Sequence, residues 1–174
     1  MNQKHIVLVG MPGSGKSTLG FHLSMLLGIP FVDTDNYIVT KFKKSVNTIF
    51  KDDGETAFRK MENDALKEIL QNAPAVISTG GGLPCFHNNM EIIVQNSISV
   101  YLKVDTEILA GYLKNDKKRP LLKNKTEQEL LEYVELLLEN RKDYYEKADI
   151  TIKTHNDNPT QLAVKLISLL EANP

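Results

Sequence analysis

The chain has 174 residues, 41% of them hydrophobic, which is enough for one sizeable core and too few for two ordinary domains with a linker. Twenty-one Lys and Arg against twenty-two Asp and Glu leave a net charge of −1, so no global field draws the molecule to nucleic acid or anionic lipid and local basic clusters must carry any anion binding. A single cysteine, Cys85, excludes an internal disulfide, and His5, His22, His87 and His155 lack the spacing of structural zinc ligands. The chain enters its first apolar run almost at once and holds no run of membrane-spanning length, so neither a signal peptide nor a span is expected and the cytoplasm is the expected compartment.

Ile6-Val7-Leu8-Val9 reads as a buried parallel strand leading into Gly10-Met11-Pro12-Gly13-Ser14-Gly15-Lys16-Ser17, which fits G-x-x-x-x-G-K-[ST]. With a helix beginning near Lys16, this is a P-loop in its proper setting. Its glycines let successive N–H groups converge on phosphate oxygens, and the helix adds its positive dipole end. Lys16 is expected to reach the β- and γ-phosphates, and the Ser17 hydroxyl to ligate the Mg²⁺ that bridges them, because a hard cation prefers oxygen. Gly13, Ser14, Gly15 and Thr18 complete the expected contacts to ATP. The motif leaves the acceptor of the phosphate open.

Leu19, Leu23, Leu26 and Leu27 recur at helical spacing, and Gly28 followed by Pro30 stops that helix. Phe31-Val32 is a short second strand that delivers Asp33-Thr34-Asp35 to its carboxyl end, the edge of a parallel sheet where ligands bind. If the strand continues, the two carboxylates project to opposite faces and serve two partners, the metal and phosphates on one side and an acceptor on the other; a solvated turn or helix cap is the alternative. Residues 36–53 read as a helical excursion beside the site, broken by Gly54. From Glu55 a helix carries Phe58, Met61, Ala65, Leu66, Ile69 and Leu70 on one face, with Arg59 and Glu62 in its early turns, and ends near Asn72 and Pro74.

Ala75-Val76-Ile77-Ser78 is the third strand, running into Thr79-Gly80-Gly81-Gly82, where absent side chains allow either close approach to a ligand or simply a flexible turn. Ser97 to Lys103 gives a fourth strand and Thr106 to Lys114 a short helix. Asn115 to Lys125 combines many charges with one proline and reads as a mobile loop. Thr126-Glu127-Gln128-Glu129 is a capping box opening a helix on which Leu130, Val134, Leu137, Arg141 and Tyr145 share one stripe, so a guanidinium projects from the apolar side. Asp149-Ile150-Thr151-Ile152 is the fifth strand, and Asn156-Asp157-Asn158-Pro159 turns the chain into a last helix carrying Leu162, Leu166, Leu169 and Leu170. Strands alternating with helices on such short connections specify one α/β domain, a doubly wound five-stranded parallel sheet with helices on both faces.

Taken together these features resemble the shikimate kinase family over nearly the whole chain. The resemblance rests on an ordered set: the P-loop, Asp33-Thr34-Asp35 as D-x-D, Phe58-Arg59-Lys60-Met61-Glu62 as F-R-x-x-E, Thr79-Gly80-Gly81-Gly82 as the glycine triplet, Arg119-Pro120-Leu121-Leu122 as the lid motif, and Arg141 with Tyr145 and Ala148 as the late arginine motif. It implies the P-loop fold of the nucleoside monophosphate kinases, with a substrate-binding helical segment at about 34–73 and a lid at about 114–126. It also implies transfer of the ATP γ-phosphoryl group to the 3-hydroxyl of shikimate; shikimate is then the small-molecule partner, and a monomer that binds neither nucleic acid nor membrane is expected. Lys16, Asp33, Asp35 and Arg119 are then the catalytic set, with Asp33 beside Mg²⁺, Asp35 on the substrate hydroxyls and Arg119 over the phosphates. Arg59 and Arg141 hold the substrate carboxylate, the backbone of Gly80, Gly81 and Gly82 borders the substrate, and Pro159 lies against the nucleotide. Many members carry an arginine stacked on adenine seven residues before the lid arginine; here Tyr112 stands at that position, and its ring can also stack.

The chemistry of these residue types agrees, since a ring acid with vicinal hydroxyls calls for guanidinium groups at one end and an acceptor carboxylate at the other. The rival readings are a gluconate or nucleoside monophosphate kinase, a GTPase-type switch and a silent nucleotide-binding module. The first gives no reason for this combination of motifs. The second would want N-K-x-D where the chain has Asn124-Lys125-Thr126-Glu127, and the third gives no reason for a full set of charged site residues.

Overall fold

The computed structural model describes residues 4–114, 125–155 and 157–172. Five apolar runs form strands, His5–Val9 (β1), Phe31–Asp33 (β2), Val76–Ser78 (β3), Ser97–Val104 (β4) and Ile150–Thr154 (β5). All neighbours pair in parallel, in the order β2-β3-β1-β4-β5. β1 lies at the centre, and Val7, Leu8 and Val9 are wholly buried, as a strand covered on both faces requires. The chain winds to one side of β1 through β2 and β3, then to the other through β4 and β5. The carboxyl end of β1 therefore sits at the point where the order reverses, the crevice where ligands bind in such sheets.

Helix Lys16–Leu27 (α1) follows the P-loop and ends at Gly28, whose φ of 66° is the left-handed cap and whose N–H donates to the Ser24 carbonyl. Its apolar stripe is shorter than the leucine spacing suggests: Leu19 and Leu23 are buried, whereas Leu26 is exposed. The excursion over residues 36–53 resolves into Thr34–Phe42 (α2) and Val46–Asp52 (α3), parted by Lys43 at φ 57° and capped anew by Ser45, which accepts from Thr48 N. Both pack on Gly54–Leu70 (α4), and Ile38, Ile49, Phe58 and Ala65 form a small second core beneath them.

A 3₁₀ turn at Leu83–Cys85 and a helix at Asn89–Asn96 (α5) occupy a stretch with no sequence expectation. Thr106–Lys114 (α6) packs on Glu127–Glu139 (α7), which opens with both hydrogen bonds of the expected capping box. α7 ends at Glu139, so the expected stripe reaching Arg141 and Tyr145 is interrupted. Arg141 instead caps the short helix Lys142–Tyr145 (α8). Pro159–Ala172 (α9) closes the fold against α1. Most of the expected lid, Arg119 included, lies outside the described residues. Among the described residues no helix is long and apolar enough to cross a membrane.

Candidate active site

Gly13 and Gly15 hold φ of 81° and 89°, conformations that side chains disfavour, and these bend the loop after β1 back over the start of α1. Lys16 is buried, and its ammonium donates to the carbonyls of Gly10 at 3.0 Å and Met11 at 2.8 Å and to Ser14 Oγ at 3.3 Å. The lysine is thus held along the loop that it would share with a phosphate.

Strand register brings the rest of the phosphate end together. Asp33 pairs with Ser78, and Ser78 with Leu8 of β1, so β1, β2 and β3 end side by side. Ser17 Oγ donates to Asp33 Oδ2 at 2.7 Å and lies 3.2 Å from Ser78 Oγ. The other Asp33 oxygen accepts from Asp35 N and Asn36 N, both at 3.1 Å, which makes it the N-cap of α2. Of the two readings left open for Asp33 and Asp35, the structure shows the helix cap: the chain turns into a helix at Thr34, and it is this cap, not strand alternation, that parts the two carboxylates. Asp33 serves as cap and as partner of Ser17 at once. Two adjacent hard oxygen donors fit a Mg²⁺ ion that draws its other ligands from phosphate and water. Among the described residues no group of three His, Cys, Asp or Glu gathers to hold a metal on its own.

The glycine triplet is explained by crowding. None of the three has a positive φ. A Cβ on Gly80 would lie 2.7 Å from Asp35 Oδ1, one on Gly81 2.7 Å from the Pro12 ring and one on Gly82 2.5 Å from Arg59 Nη1. Each glycine makes room for a different residue of the site. Gly80 N also donates to Thr34 Oγ1 at 3.0 Å, and the Gly81 carbonyl accepts from Tyr145 OH at 2.6 Å. The turn is pinned from α2 and α8, which excludes the reading of a flexible turn.

Arg59 donates from Nη1 to Glu62 at 2.8 Å and from Nη2 to Glu55 at 2.8 Å. Glu62 is only 1% exposed, and burial pushes its carboxyl up to about 7 against the opposing pull of Arg59. Arg141 is half-buried and makes no ion pair with a described residue. Its charge acts on Glu62, Cys85 and Tyr145, and the charge of Arg59 also acts on Glu62 and Cys85. The two arginines, distant in sequence, therefore converge around one buried carboxyl. Burial raises the Cys85 thiol to about 11, so it stays protonated.

Two clefts meet over the P-loop. One, of about 220 Å³, is lined by Lys16, Ser17, Asp33, Asp35, Gly80 and Gly81 among others. The other, of about 290 Å³, is walled by Tyr112, Leu102, Pro159 and Leu162, with Asp157 at its edge. Gly13, Gly15 and Thr18 line both, so the two clefts adjoin along the loop. Gly82, Arg59 and Arg141 do not line the first cleft; they adjoin it through the glycine turn and Glu62. Sequence reasoning passed over Thr34, Ser78 and Pro12. The first two could have been read from hydroxyls placed at the ends of β2 and β3, whereas the contact of Pro12 with Gly81 has no local signal.

A family model described as shikimate kinase matches residues 12–171. The chain belongs to the shikimate kinase family. It is 44% identical over 149 residues to the shikimate kinase of Parabacteroides distasonis, covering 85% of this chain and 86% of the relative. It is 42% identical over 145 residues to that of Bacteroides fragilis, covering 83% and 81%. Among solved structures, the shikimate kinase of Bacteroides thetaiotaomicron superposes with a TM-score of 0.91 at 36% identity, covering 97% of this chain and 98% of the other. The shikimate kinase of Acinetobacter baumannii, solved in complex with shikimate, gives 0.89 at 35% identity, covering 98% and 94%. A gluconokinase from Sinorhizobium meliloti reaches 0.58 at 16% identity, which shows a shared fold alone.

Proposed function

We propose that this chain transfers the γ-phosphoryl group of ATP to the 3-hydroxyl of shikimate, giving shikimate 3-phosphate and ADP, in the presence of Mg²⁺. The observation that carries this reading is the single cleft lined by the P-loop group Lys16 and Ser17, by Asp33 and by Asp35. Phosphate-binding atoms and an acceptor carboxylate share one enclosure there, in a family whose Acinetobacter baumannii member was solved with shikimate.

Each role follows from chemistry. Lys16 neutralises charge on the β- and γ-phosphates, and the N–H groups of Gly13, Ser14 and Gly15 cradle them. Ser17 and Asp33 hold the Mg²⁺, which when bound supplies further neutralisation of the phosphate oxygens. Asp35 orients the substrate hydroxyl and takes its proton as that oxygen bonds the γ-phosphorus and the bond to the β-bridging oxygen breaks, leaving ADP. Arg59 and Arg141 hold the carboxylate of the ring acid, with the glycine turn between them and Asp35 fixing the distance across the ring. The helical segment at about 34–73 carries Asp35, Arg59 and Glu62 and so serves as the substrate-binding part of the domain. Tyr112 and Pro159 take the adenine, and Arg119 acts on the phosphates by its motif Arg119-Pro120-Leu121-Leu122.

The test is ADP release across shikimate, gluconate and nucleoside monophosphates, with and without Mg²⁺. Turnover that requires both shikimate and the metal is expected. Equal turnover with gluconate or a nucleoside monophosphate would overturn the substrate, and full activity without a divalent ion would overturn the metal.

A further inference from the structure

The guanidinium of Arg59 is confined by more than its carboxylate partners. Its Cζ lies 4.2 Å from the ring centroid of Phe86, closer than to Phe58 at 5.7 Å or Phe50 at 5.9 Å. Only Phe58 of these three is buried; Phe86 is 37% exposed and lies outside the two core clusters, so core packing alone does not account for its position. Arg59 itself has an 11% exposed side chain, so the ring faces a largely desolvated cation, where such contacts are strongest.

The local backbone is built to bring Phe86 there. After the 3₁₀ turn at Leu83–Cys85, Phe86 is extended at φ −127° and ψ 155°, and the next two residues, His87 and Asn88, both adopt left-handed φ, 51° and 56°. Two consecutive non-glycine residues at positive φ are costly unless their surroundings fix them. Those surroundings come from α4, the helix that carries Arg59. Asn63 Nδ2 donates to Asn89 Oδ1 at 2.6 Å and to the His87 carbonyl at 3.4 Å, and Asn89 Nδ2 donates to the Leu83 carbonyl at 2.8 Å. Asn63 and Asn89 are both buried, so this amide pair fixes the turn relative to α4. From the same segment Gly82 leaves the space that Arg59 Nη1 fills. Glu62 and Glu55 thus set where the guanidinium donates, while Phe86 and Gly82 limit how far it can swing.

We propose that Phe86 is a positioning residue for the substrate: its ring face holds the Arg59 guanidinium in the orientation that meets the carboxylate of the ring acid, and the left-handed turn and the Asn63–Asn89 pair hold Phe86. This rests on the reading that Arg59 binds the substrate carboxylate. Phe86→Leu keeps apolar bulk and removes the ring face, whereas Phe86→Tyr keeps the face.

The experiment measures KM for shikimate and for ATP, with a thermal melt, in the parent, Phe86→Leu, Phe86→Met, Phe86→Tyr, Arg59→Ala and the double variant Arg59→Ala/Phe86→Leu. Phe86→Leu is expected to raise the shikimate KM about five- to ten-fold, with ATP KM and melting temperature unchanged, because an orientation held by a partly desolvated cation–π contact is lost. Phe86→Tyr should restore the parent value. In the Arg59→Ala background Phe86→Leu should change the shikimate KM less than about two-fold, since the group it positions is gone. An unchanged shikimate KM in Phe86→Leu, or the same increase with and without Arg59, would overturn the proposal. So would loss of the melting transition in both Phe86→Leu and Phe86→Met, which would make the ring structural. An unchanged shikimate KM in Arg59→Ala alone would instead overturn the reading of Arg59 beneath it.

Discussion

Substituting alanine at each glycine of the triplet adds the same methyl group three times and should give three different enzymes. At Gly81 the new Cβ lies 2.7 Å from Pro12 Cδ and Cγ and 3.0 Å from Pro12 N. Carbon atoms pack at about 3.5–4.0 Å, so an overlap of roughly 1 Å must be relieved against a rigid ring and backbone, in a turn whose carbonyl is already held by Tyr145. Overpacking of this kind costs about 1–3 kcal/mol, which for a chain of this size lowers the melting temperature by roughly 3–10 °C. Because Pro12 belongs to the P-loop, KM for ATP should rise as well. At Gly82 the Cβ meets Arg59 Nη1 at 2.5 Å, Cζ at 3.0 Å and Nη2 at 3.1 Å. That guanidinium is held by Glu55, Glu62 and Phe86, so displacing it costs part of those contacts, but the main effect should fall on KM for shikimate, by about ten-fold or more. At Gly80 the contact is Asp35 Oδ1 at 2.7 Å, and displacing the acceptor carboxylate by part of an ångström should lower kcat by roughly ten- to a hundred-fold. Steady-state kinetics with each substrate varied, and a melt on the same samples, separate the three patterns. Three variants that lose the same parameters in the same proportion would refute the crowding explanation.

Burial raises Glu62 from its ordinary 4.5 to about 7. Its protonated form is therefore favoured in the folded state, and the stability this contributes is full below about pH 4.5 and lost as the pH climbs to about 7. The stability of Glu62→Gln relative to the parent should then improve across that window, by at most about 3 kcal/mol, and a difference independent of pH would refute it. Tyr112, 42% exposed at the mouth of the larger cleft, should stack on adenine, so Tyr112→Ala should raise KM for ATP about five-fold or more; an unchanged value would make it a packing residue. Arg141 makes no ion pair with a described residue, so Arg141→Ala should weaken shikimate by about 2–5 kcal/mol while the melt and nucleotide binding hold. A fall in melting temperature with near-normal shikimate affinity would make Arg141 structural.

The legible parts of this molecule are those encoded over a few residues. β1 and the P-loop were readable because an apolar run and glycine spacing are local, and the capping box at Thr126 formed as its four residues specify. The parallel, doubly wound sheet followed from the alternation of strands with helices, whereas the order of its strands comes from the structure alone. What failed depended on distant contacts. Leu26 keeps the helical spacing of Leu19 and Leu23 but lies on the exposed side of α1. Arg141 keeps the spacing of α7, yet the helix stops at Glu139 and a new turn begins, so periodicity alone ran on past the true end. Residues 83–96 place Leu83, Met90 and Ile93 in the core, but the turn between Leu83 and Met90 is held by Asn63 and Asn89, two amides 26 residues apart, which no local pattern announces. The glycine triplet announced a close approach without naming what approaches, because Asp35, Pro12 and Arg59 come from three separate segments.

The most direct measurement is the structure of the product formed from ATP and shikimate by the purified chain, read by phosphorus–proton correlation spectroscopy alongside ADP. One phosphate ester on the carbon bearing the 3-hydroxyl, formed in step with ADP, is the predicted result. Phosphate on another carbon, or inorganic phosphate released with shikimate unchanged, would contradict it.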